Sequence, residues 1–583
     1  MSWQTWAQIG ALFALLAVST PTLGSYMAKV FGSGPAPGDR VFLPVERFTY
    51  RMLRIDPETE QRWTAYVGSV LALSLAGALL IYVVLRTQHY LPGNPDHLGN
   101  VGTGLSFNTA ISFATNTNWQ NYVGESTLSQ FSQMFALVVH QFLSAAIGMA
   151  LAVAFIRGLV RRRATTLGNF WVDEVRATIR VLLPITFVFA IIFMGFGVIE
   201  NFHATHTVPT VAAIGTHTTA SPALEQQIPG GPVASMVPIE MLGDNGGGYF
   251  GANLAHPYEN PSPITNLLDV WLAAMIPFAF AWTFGKMIGS KRQAVVVLVV
   301  MGTLFALSMF GATALETNGN VKLDSAGVTQ TATATNPGGN LEGKDLRFGA
   351  PGSALNAVTM TATSTGGTGS AIESYTPLGG GVPLFDMMLG ETIPGGTGTG
   401  LYGMLIFVLI TVFIAGLMVG RTPMYLGKRI LATDMTLAAI YILVLPVTVL
   451  SLAGISLLLP SAARQISSTG PHAVTEVVYA YVSAAHNNGS AFAGLSGDTQ
   501  WYNTTLAFAM WIGRFFEIIP AMALAGSLAR KRTYKMTTGT LRTDTPLFTT
   551  LLGGVVIVLV GLTYFPVLAL GPLAEQFVGH FGV

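Results

Sequence analysis

The stretch SFNTAISFATNTNW at residues 106–119 is an apolar run that gives way to small polar residues. Three more stretches follow the same plan: ASMVPIEMLGDNGGG at 234–248, ALNAVTMTATSTGG at 354–367 and EVVYAYVSAAHNNGS at 476–490. Aligned on their polar tips, they superimpose Thr117, Gly246, Gly366 and Gly489, at intervals of 129, 120 and 123 residues. This nearly constant period predicts four diverged copies of one structural unit.

The composition around these stretches is that of a membrane protein. Of the 583 residues, 51% are hydrophobic and 10% are charged, whereas soluble proteins carry roughly 25% charged residues. Ten apolar runs are long enough to cross about 30 Å of hydrocarbon. They are Trp6 to Tyr26, Tyr66 to Leu85, Phe131 to Phe155, Val181 to Val198, Leu267 to Phe284, Ala294 to Ala314, Leu401 to Val419, Met435 to Leu459, Leu506 to Leu528 and Leu547 to Leu570.

The four stretches and the ten runs together predict the fold. Eight of the runs flank the stretches in pairs, so we expect an all-α polytopic membrane protein with four helix, pore-loop, helix repeats around a central filter. One extra helix remains at each end. The expected boundaries are 1–62 for the extra N-terminal helix and a cytoplasmic loop, 63–163, 175–290, 291–420 and 430–532 for the repeats, and 545–583 for the extra C-terminal helix.

The distribution of basic residues predicts the orientation. Of the 29 Lys and Arg residues, 23 lie in alternate loops, within 29–62, 157–180, 286–292, 421–429 and 530–542. Because Lys and Arg concentrate in cytoplasmic loops, both chain termini are expected outside. The long polar segments Asn201 to Val233 and Glu316 to Pro351 are then expected to be exposed outer loops.

Irregular backbone at membrane depth has a specific chemical use. It is tolerated where it lines a watery or ion-filled cavity, and carbonyl oxygens there can replace the hydration shell of a monovalent cation. Glycine allows the positive φ angles that aim successive carbonyls inward. The C-terminal end of each preceding short helix is partially negative and favours a cation. Each tip taken alone reads as an ordinary turn, but four tips in register favour a cation filter.

Several function classes are excluded or disfavoured. The net charge of +1 gives no reason to expect a nucleic-acid partner. The chain has no cysteine and therefore no thiolate-bound metal. Neither a GxxxxGK[ST] phosphate loop nor a DKTGT phosphorylation motif occurs in it. Any ATP chemistry must therefore come from a partner, and we identify no catalytic residue in this chain.

Five stretches carry a family resemblance: TNTNWQNY, NGGGYFGANLAHPYENP, GLYGM, GRTPMYLGK and NNGSAFAGL. They resemble the signatures of the KdpA family, the potassium-binding components of the Kdp potassium-transporting ATPase, within the superfamily of K+ transporters. The resemblance covers nearly the whole chain. It implies a K+-selective binding and translocation subunit of an ATP-driven uptake pump in the bacterial cytoplasmic (inner) membrane, with membrane lipid around it.

The same resemblance implies particular residues and partners. The implied ligand is the transported K+, with no other metal and no nucleotide on this chain. The implied partners in the Kdp complex are the P-type ATPase KdpB, the accessory protein KdpC and a small single-span subunit. The implied filter residues are Thr115, Asn116, Thr117, Asp244, Asn245, Gly246, Ser364, Thr365, Gly366, Asn487, Asn488 and Gly489, with Gln120 and Asn253 flanking the first two loops.

This chain departs from the family pattern at two positions. Asp244 stands where the family usually has Thr, and Met424 stands where it usually has Glu. We expect Asp244 to add a carboxylate at the filter entrance.

Arg514 is the basic residue inside a predicted span. An arginine there is costly and usually faces the bundle interior or a pathway. We expect a positive barrier beneath the filter, and the alternative is a salt bridge to Glu517, one turn later.

Other motifs favour structural interpretations. Gly398, Gly400 and Gly403 match GxGxxG, but no strand precedes them, so close helix packing is favoured over a dinucleotide site. His203, His206 and His217 are expected to be solvated loop residues more than metal ligands. For His140, inside a span, we expect an interhelical hydrogen bond.

Two other functions compete with the pump component. A stand-alone Trk- or Ktr-type potassium channel or symporter would share the four repeats, but it ordinarily lacks the extra terminal helices and the quoted stretches. A membrane-embedded enzyme would need clustered acids, bases or metal ligands at membrane depth, and the sequence offers none.

Overall fold

The structure is a computed structural model in which residues 3–210, 225–390, 392–535 and 540–578 are described. Helices dominate it throughout. In chain order they are α1 (Trp3–Val30), α2 (Asp39–Leu53), α3 (Trp63–Thr87), α4 (Thr103–Ala114), α5 (Gly124–Thr127), α6 (Val139–Val160), α7 (Phe170–Arg176), α8 (Leu183–Gly195), α9 (Val233–Leu242), α10 (Pro263–Met287), α11 (Lys291–Thr317), α12 (Val321–Ser325), α13 (Gly349–Ala362), α14 (Pro377–Met388), α15 (Thr399–Met418), α16 (Ala432–Leu458), α17 (Pro460–Ala463), α18 (Gly470–Ala485), α19 (Gln500–Arg530), α20 (Pro546–Leu568) and α21 (Ala574–Val578).

Three π-helical segments extend these helices. Ser132–Val138 leads into α6, Ala177–Leu182 joins α7 to α8, and Ala569–Leu573 joins α20 to α21. Within the described ranges, ten continuous helices are long and apolar enough to cross a membrane. Each of the ten apolar runs in the sequence falls on one of them. The chain is therefore a multi-pass membrane protein of the expected all-α class.

Four short helices lie between spans and do not cross. They are α4, α9, α13 and α18, of 12, 10, 14 and 16 residues. Their side chains are almost all buried. At 1.5 Å per residue, they span about 15 to 24 Å, which is too short for the hydrocarbon layer. Each therefore ends inside the bundle, where the chain turns back.

The third repeat contains a break that the sequence does not signal. Before α15, the chain forms a separate helix, α14, and the two are joined by residues 389–398. The equivalent part of the fourth repeat is the single 31-residue helix α19. The segment PLGGGVPLFDMM of α14 is too short and too rich in Gly and Pro to read as a span.

Two small β-hairpins decorate the helices. β1 (His206–Pro209) pairs with β2 (Glu225–Ile228), so the predicted loop 201–233 contains a two-stranded ribbon, with residues 211–224 outside the described part. β3 (Met424–Tyr425) pairs with β4 (Lys428–Arg429) on the Lys- and Arg-rich side. Met424, one of the two departures from the family pattern, thus lies in a turn between spans.

The extra N-terminal helix packs along the second repeat. A Cβ on Gly24 of α1 would lie 2.5 Å from the carbonyl oxygen of Ala279 in α10, so the two backbones nearly touch. The hydroxyl of Thr283 donates to the carbonyl of Gly24 over 3.1 Å. Small residues give membrane helices this close approach.

Lys428 ties the first and fourth repeats together. Its Nζ donates to the carbonyls of Gly158 and Leu528, each over 2.8 Å, and to the carbonyl of Arg161 over 2.5 Å. These carbonyls lie at the C-terminal ends of α6 and α19, where helices leave backbone acceptors without partners. Burial, with the nearby charges of Lys531 and Arg162, lowers the pKa of Lys428 to about 8. The ammonium therefore stays mostly protonated at neutral pH.

Replacing Lys428 with Met should destabilise the protein by about 3 kcal/mol, because it leaves buried carbonyls without donors. The measurement is the thermal unfolding midpoint in detergent. Lys291→Met, at an exposed position, is the matched control and should leave the midpoint unchanged. Equal midpoints for the two variants would contradict a capping role for Lys428.

Candidate functional site

The four short helices end at four loops of matching backbone conformation. In each loop a residue with positive φ follows the helix by two positions, and a second one comes two positions later. The first set is Asn116, Asp244, Ser364 and Asn487, and the second set is Asn118, Gly246, Gly366 and Gly489. Positive φ is uncommon outside glycine and is most often adopted by Asn and Asp. Its recurrence at eight equivalent positions shows that the loops share one shape.

Backbone hydrogen bonds fix the register between the loops. In each of the first three repeats, two consecutive amides of the loop donate to a single carbonyl one turn back in the helix, those of Ser112, Glu240 and Met360. In the fourth repeat, the Asn488 amide donates to the carbonyl of Ser483 and the Gly489 amide to its hydroxyl. The helix C-termini, where partial negative charge accumulates, therefore all meet the same part of their loop.

This register corrects the sequence alignment by one residue in the first repeat. Asn118, and not Thr117, is the equivalent of Gly246, Gly366 and Gly489. Asn118 is fully buried, and its Nδ2 donates to the carbonyl of Gly246 over 3.2 Å. Sequence reasoning missed Asn118 because glycine occupies the position in the other three repeats.

The loops touch one another in cyclic order. A Cβ on Gly246 would lie 1.4 Å from the carbonyl oxygen of Thr365, one on Gly366 would lie 2.1 Å from that of Asn488, and one on Gly489 would lie 1.9 Å from that of Thr117. The bond from Asn118 to Gly246 links the first loop to the second. The second, third, fourth and first loops thus follow one another around a closed ring.

Side chains brace the ring between neighbouring repeats. Asn116 Nδ2 donates to the carbonyl of Asp244 over 2.8 Å, and Asn487 Nδ2 donates to the hydroxyl of Thr117 over 2.9 Å. The hydroxyl of Ser364 donates to the carbonyl of Asn487 over 3.3 Å. The structure therefore brings all twelve predicted filter residues into four adjoining loops, together with Asn118.

Asp244 occupies a different place from the one expected. It is the second residue after α9, so it lies where the re-entrant chain is deepest and not at the filter entrance. Its Oδ2 accepts from the hydroxyl of Thr397 over 2.5 Å, and its Oδ1 accepts from Thr365 over 3.2 Å. The carboxylate thus links the second loop to the third loop and to the 389–398 break.

The two flanking residues behave differently. Gln120 joins the segments beyond the first two loops, since its Nε2 donates to the carbonyl of Gly248 over 2.9 Å and its Oε1 accepts from the Gly248 amide over 3.1 Å. The side-chain amide of Asn253 donates within its own turn, to the carbonyl of Gly251 over 3.4 Å. Gln120 therefore supports the ring, whereas the described contact of Asn253 is local.

Glu259 is a second residue that sequence reasoning missed. Its fully buried carboxylate accepts from the amides of Tyr249 and Phe250, the latter over 3.0 Å, just beyond the second loop. The signal was present in the stretch HPYENP, where a carboxylate sits between prolines inside an otherwise apolar and amide-rich region. Glu259 holds the chain that leaves the second loop.

The 389–398 break lies directly against the ring. The Gly395 amide donates to the carbonyl of Ala362, the last residue of α13, over 2.9 Å. A Cβ on Gly398 would lie 2.3 Å from the carbonyl oxygen of Gly148 in α6, at a φ of 95°. The glycines of the GxGxxG match therefore allow close packing, as expected, and they place irregular backbone below the third loop.

Arg514 lies at the same level. Its Nη2 donates to the carbonyl of Ser144 over 3.1 Å, and the side chain is buried. It lines a cavity of about 20 Å³ together with Glu517, Ser364 and Asn487. This volume holds about one water molecule. Arg514 and Glu517 thus share a small polar space beside two of the filter loops.

The histidines have other surroundings. The Nδ1 of His140 lies 2.6 Å from the carbonyl of Ala136 in the same helical segment, and its ring packs against Gly77 of α3. The expected interhelical hydrogen bond of His140 is therefore replaced by one along its own helix. His203 precedes β1, His206 begins it, and His217 lies outside the described residues.

Comparisons with known proteins agree with this architecture. A model of the family described as KdpA, potassium-transporting ATPase A subunit, matches residues 10–577. The chain belongs to the KdpA family. It is 51% identical, over 99% of both chains, to a protein of Mycobacterium bovis named potassium-transporting ATPase potassium-binding subunit. A protein of the same name from Acidobacterium capsulatum is 47% identical over 98% of both chains.

One solved structure also resembles this member of the KdpA family. The potassium transporter TrkH of Vibrio parahaemolyticus aligns with 89% of this chain and 98% of its own, at 16% sequence identity and a TM-score of 0.49.

Proposed function

We propose that this chain is the K+-binding and translocating subunit of an ATP-driven potassium uptake pump. The observation that carries the proposal is the closed ring of four loops, in which carbonyl oxygens of three loops lie against glycines of their neighbours. A ring of backbone carbonyls replaces the water around a monovalent cation. The names of the relatives support K+ as that cation.

The residues of the ring have distinct roles in this proposal. The K+-binding filter comprises residues 115–118, 244–246, 364–366 and 487–489, which adds Asn118 to the twelve residues expected from the sequence. Gln120 and Glu259 hold the segments beyond the filter. The four helix C-termini direct their partial negative charge at the ion. The repeat boundaries at 63–163, 175–290, 291–420 and 430–532 belong to the same proposal.

The region below the ring limits free passage in this proposal. Residues 389–398 fill the space beneath the third loop, and Arg514 adds a fixed positive charge beside the third and fourth loops. A cation leaving the filter toward Arg514 meets electrostatic repulsion in a region of low dielectric constant. Continuous conduction is thereby opposed, as a pump requires.

The pump requires partners that supply ATP hydrolysis. We propose that these are the P-type ATPase KdpB, the accessory protein KdpC and a small single-span subunit, in the bacterial cytoplasmic membrane. The relatives' names, which describe one subunit of an ATPase, support an assembly.

The test is co-purification from native membranes under mild detergent, followed by an ATPase assay with and without K+. We expect a complex that contains a P-type ATPase chain and whose ATP hydrolysis rises with K+. Isolation of this chain alone, with passive K+ flux in vesicles and no K+-stimulated hydrolysis, would instead support a stand-alone channel or symporter.

Orientation gives a separate prediction. Because 23 of the 29 Lys and Arg residues lie in one set of loops, tags at residues 1 and 583 should both be accessible from outside the cytoplasmic membrane. The measurement is labelling of the tags in intact spheroplasts. A tag in the 530–542 loop should be labelled only after lysis, and a C-terminal tag with that behaviour would contradict the topology.

A further inference from the structure

Helix α2 stands outside the four repeats and has two opposite faces. One face packs on the protein through Glu46 and Tyr50, both buried. Glu46 accepts from Nε of Arg180, and the hydroxyl of Tyr50 donates to Glu46 over 3.3 Å. Asp39, at the start of α2, accepts from Nη1 of Arg180 over 2.6 Å. Both acidic residues of α2 are therefore directed at Arg180.

The opposite face of α2 is apolar and exposed. Val41, Val45, Phe48 and Met52 lie four, three and four residues apart, which places them in one stripe along the helix. Their exposed fractions are 67%, 45%, 61% and 66%. A contiguous stripe of this kind marks a surface that contacts something other than water.

One flank of α2 is purely basic. Arg40, Arg47 and Arg51 lie within about 40° of one another around the helix, and Arg54 follows at the C-terminal cap. All four are exposed, and in the described part of the chain none of them forms a salt bridge. Since the acidic residues face inward, the charge that α2 presents outward is positive.

The position of α2 relates this surface to the membrane. The helix begins nine residues after α1 ends, and it packs on α7 and on the π-helical segment 177–182. That segment runs directly into α8, whose Leu183, Phe187 and Ile191 are exposed apolar side chains of a membrane span. The stripe on α2 therefore lies beside the point where the lipid-facing surface of α8 begins.

We propose that α2 is an interfacial helix that binds the bilayer on the Lys- and Arg-rich side. Val41, Val45, Phe48 and Met52 enter the outer part of the acyl-chain region, and Arg40, Arg47 and Arg51 bind anionic phospholipid headgroups. An apolar stripe with an arginine flank is the pattern of helices that lie in the membrane interface. Basic residues next to a span also draw it to anionic lipid.

The lipid contact would act on the protein through Arg180. This residue connects α2 to the span that contains α8, and Tyr26 of α1 donates to its carbonyl over 2.8 Å. Lipid held by α2 would therefore stabilise the packing of α1 against the second repeat. The surface is a site for anionic lipid at the edge of the protein, separate from the ion path.

The absence of cysteine makes a direct test possible. Phe48→Cys and Val41→Cys each accept one nitroxide label on this chain, and the complex is then reconstituted in phosphatidylcholine vesicles, with the unsubstituted complex as the labelling blank. Phe202→Cys, at a 71% exposed loop position, is the aqueous control. We expect the ratio of oxygen to water-soluble nickel accessibility to be several-fold higher at residues 41 and 48 than at residue 202.

Two results at these positions would overturn the proposal. Nickel accessibility at residue 48 equal to that at residue 202 would place the stripe in water. Immobilisation of the label with low accessibility to both reagents would show that another protein chain covers the stripe.

A second arm tests the anionic headgroups. Phosphatidylglycerol added to the vesicles should raise the oxygen-to-nickel ratio at residue 48, and high salt should reverse the rise, because exposed charges are screened. The rise should be absent in a chain that also carries Arg40→Gln, Arg47→Gln and Arg51→Gln. An equal rise with and without the arginines would overturn their role, and no rise in either chain would exclude anionic lipid as the ligand.

Discussion

Replacing Gly246 with Ala is expected to weaken K+ binding by about tenfold or more, which corresponds to about 1.4 kcal/mol, and to narrow the preference for K+ over Na+. The φ of 65° at Gly246 disfavours a side chain, and the new Cβ would lie 1.4 Å from the carbonyl oxygen of Thr365. The second and third loops must therefore separate. Carbonyls displaced from the ring replace the hydration shell of K+ less well.

The measurement for Gly246→Ala is the K+, Rb+ and Na+ dependence of ATP hydrolysis and uptake in reconstituted complex. Gly454→Ala in α16 is the matched control, because a Cβ there meets nothing within 4 Å, and it should leave ion preference unchanged. Normal K+ affinity and selectivity in well-folded Gly246→Ala protein would show that the filter lies elsewhere.

Replacing Arg514 with Gln is expected to raise passive K+ flux in the absence of ATP by an order of magnitude, or to uncouple ATP hydrolysis from uptake. A unit charge about 8 Å from a cation costs about 2 kcal/mol at an effective dielectric constant of 20. Removal of the guanidinium takes this barrier away and also frees the carbonyl of Ser144 from its donor. The measurement is tracer Rb+ influx into vesicles together with the ratio of ions moved to ATP hydrolysed.

A structural role for Arg514 predicts a different outcome. If its main effect were to neutralise Glu517, Arg514→Gln combined with Glu517→Gln should restore both coupling and stability. If its charge opposes the ion, the double variant should remain leaky. Arg530→Gln, at an exposed position on the same helix, is the control and should leave passive flux unchanged.

The spans were predictable because the bilayer imposes a length and a composition on each of them. The position of Asn118 was not predicted, because the alignment matched glycine to the polar tip and not to the backbone angle. Asn is the residue type other than glycine that adopts positive φ most readily. Asn118 therefore carried a usable signal, which the TNTN sequence obscured by offering Asn116 two positions earlier.

The depth of Asp244 and the break before α15 depend on tertiary structure. Which end of a re-entrant loop faces the exterior follows from where its helix stops, and sequence boundaries are uncertain by about 2 to 4 residues. The helix α14 has three consecutive glycines and two prolines, so local propensity argues against it. It exists because Leu384, Met387 and Met388 are buried among neighbouring helices. Helix α2 was overlooked because the search was for spans.

The ring described above is made by one polypeptide, and this has a consequence for how its chemistry can vary. In a ring of four identical chains, a codon change is expressed four times, so a new carboxylate would bring four negative charges to one site at once. Here Asp244 brings a single carboxylate to one quadrant, where Thr397 and Thr365 hydrogen-bond it, while the other three quadrants keep uncharged residues. A fused ring can therefore be retuned one quarter at a time.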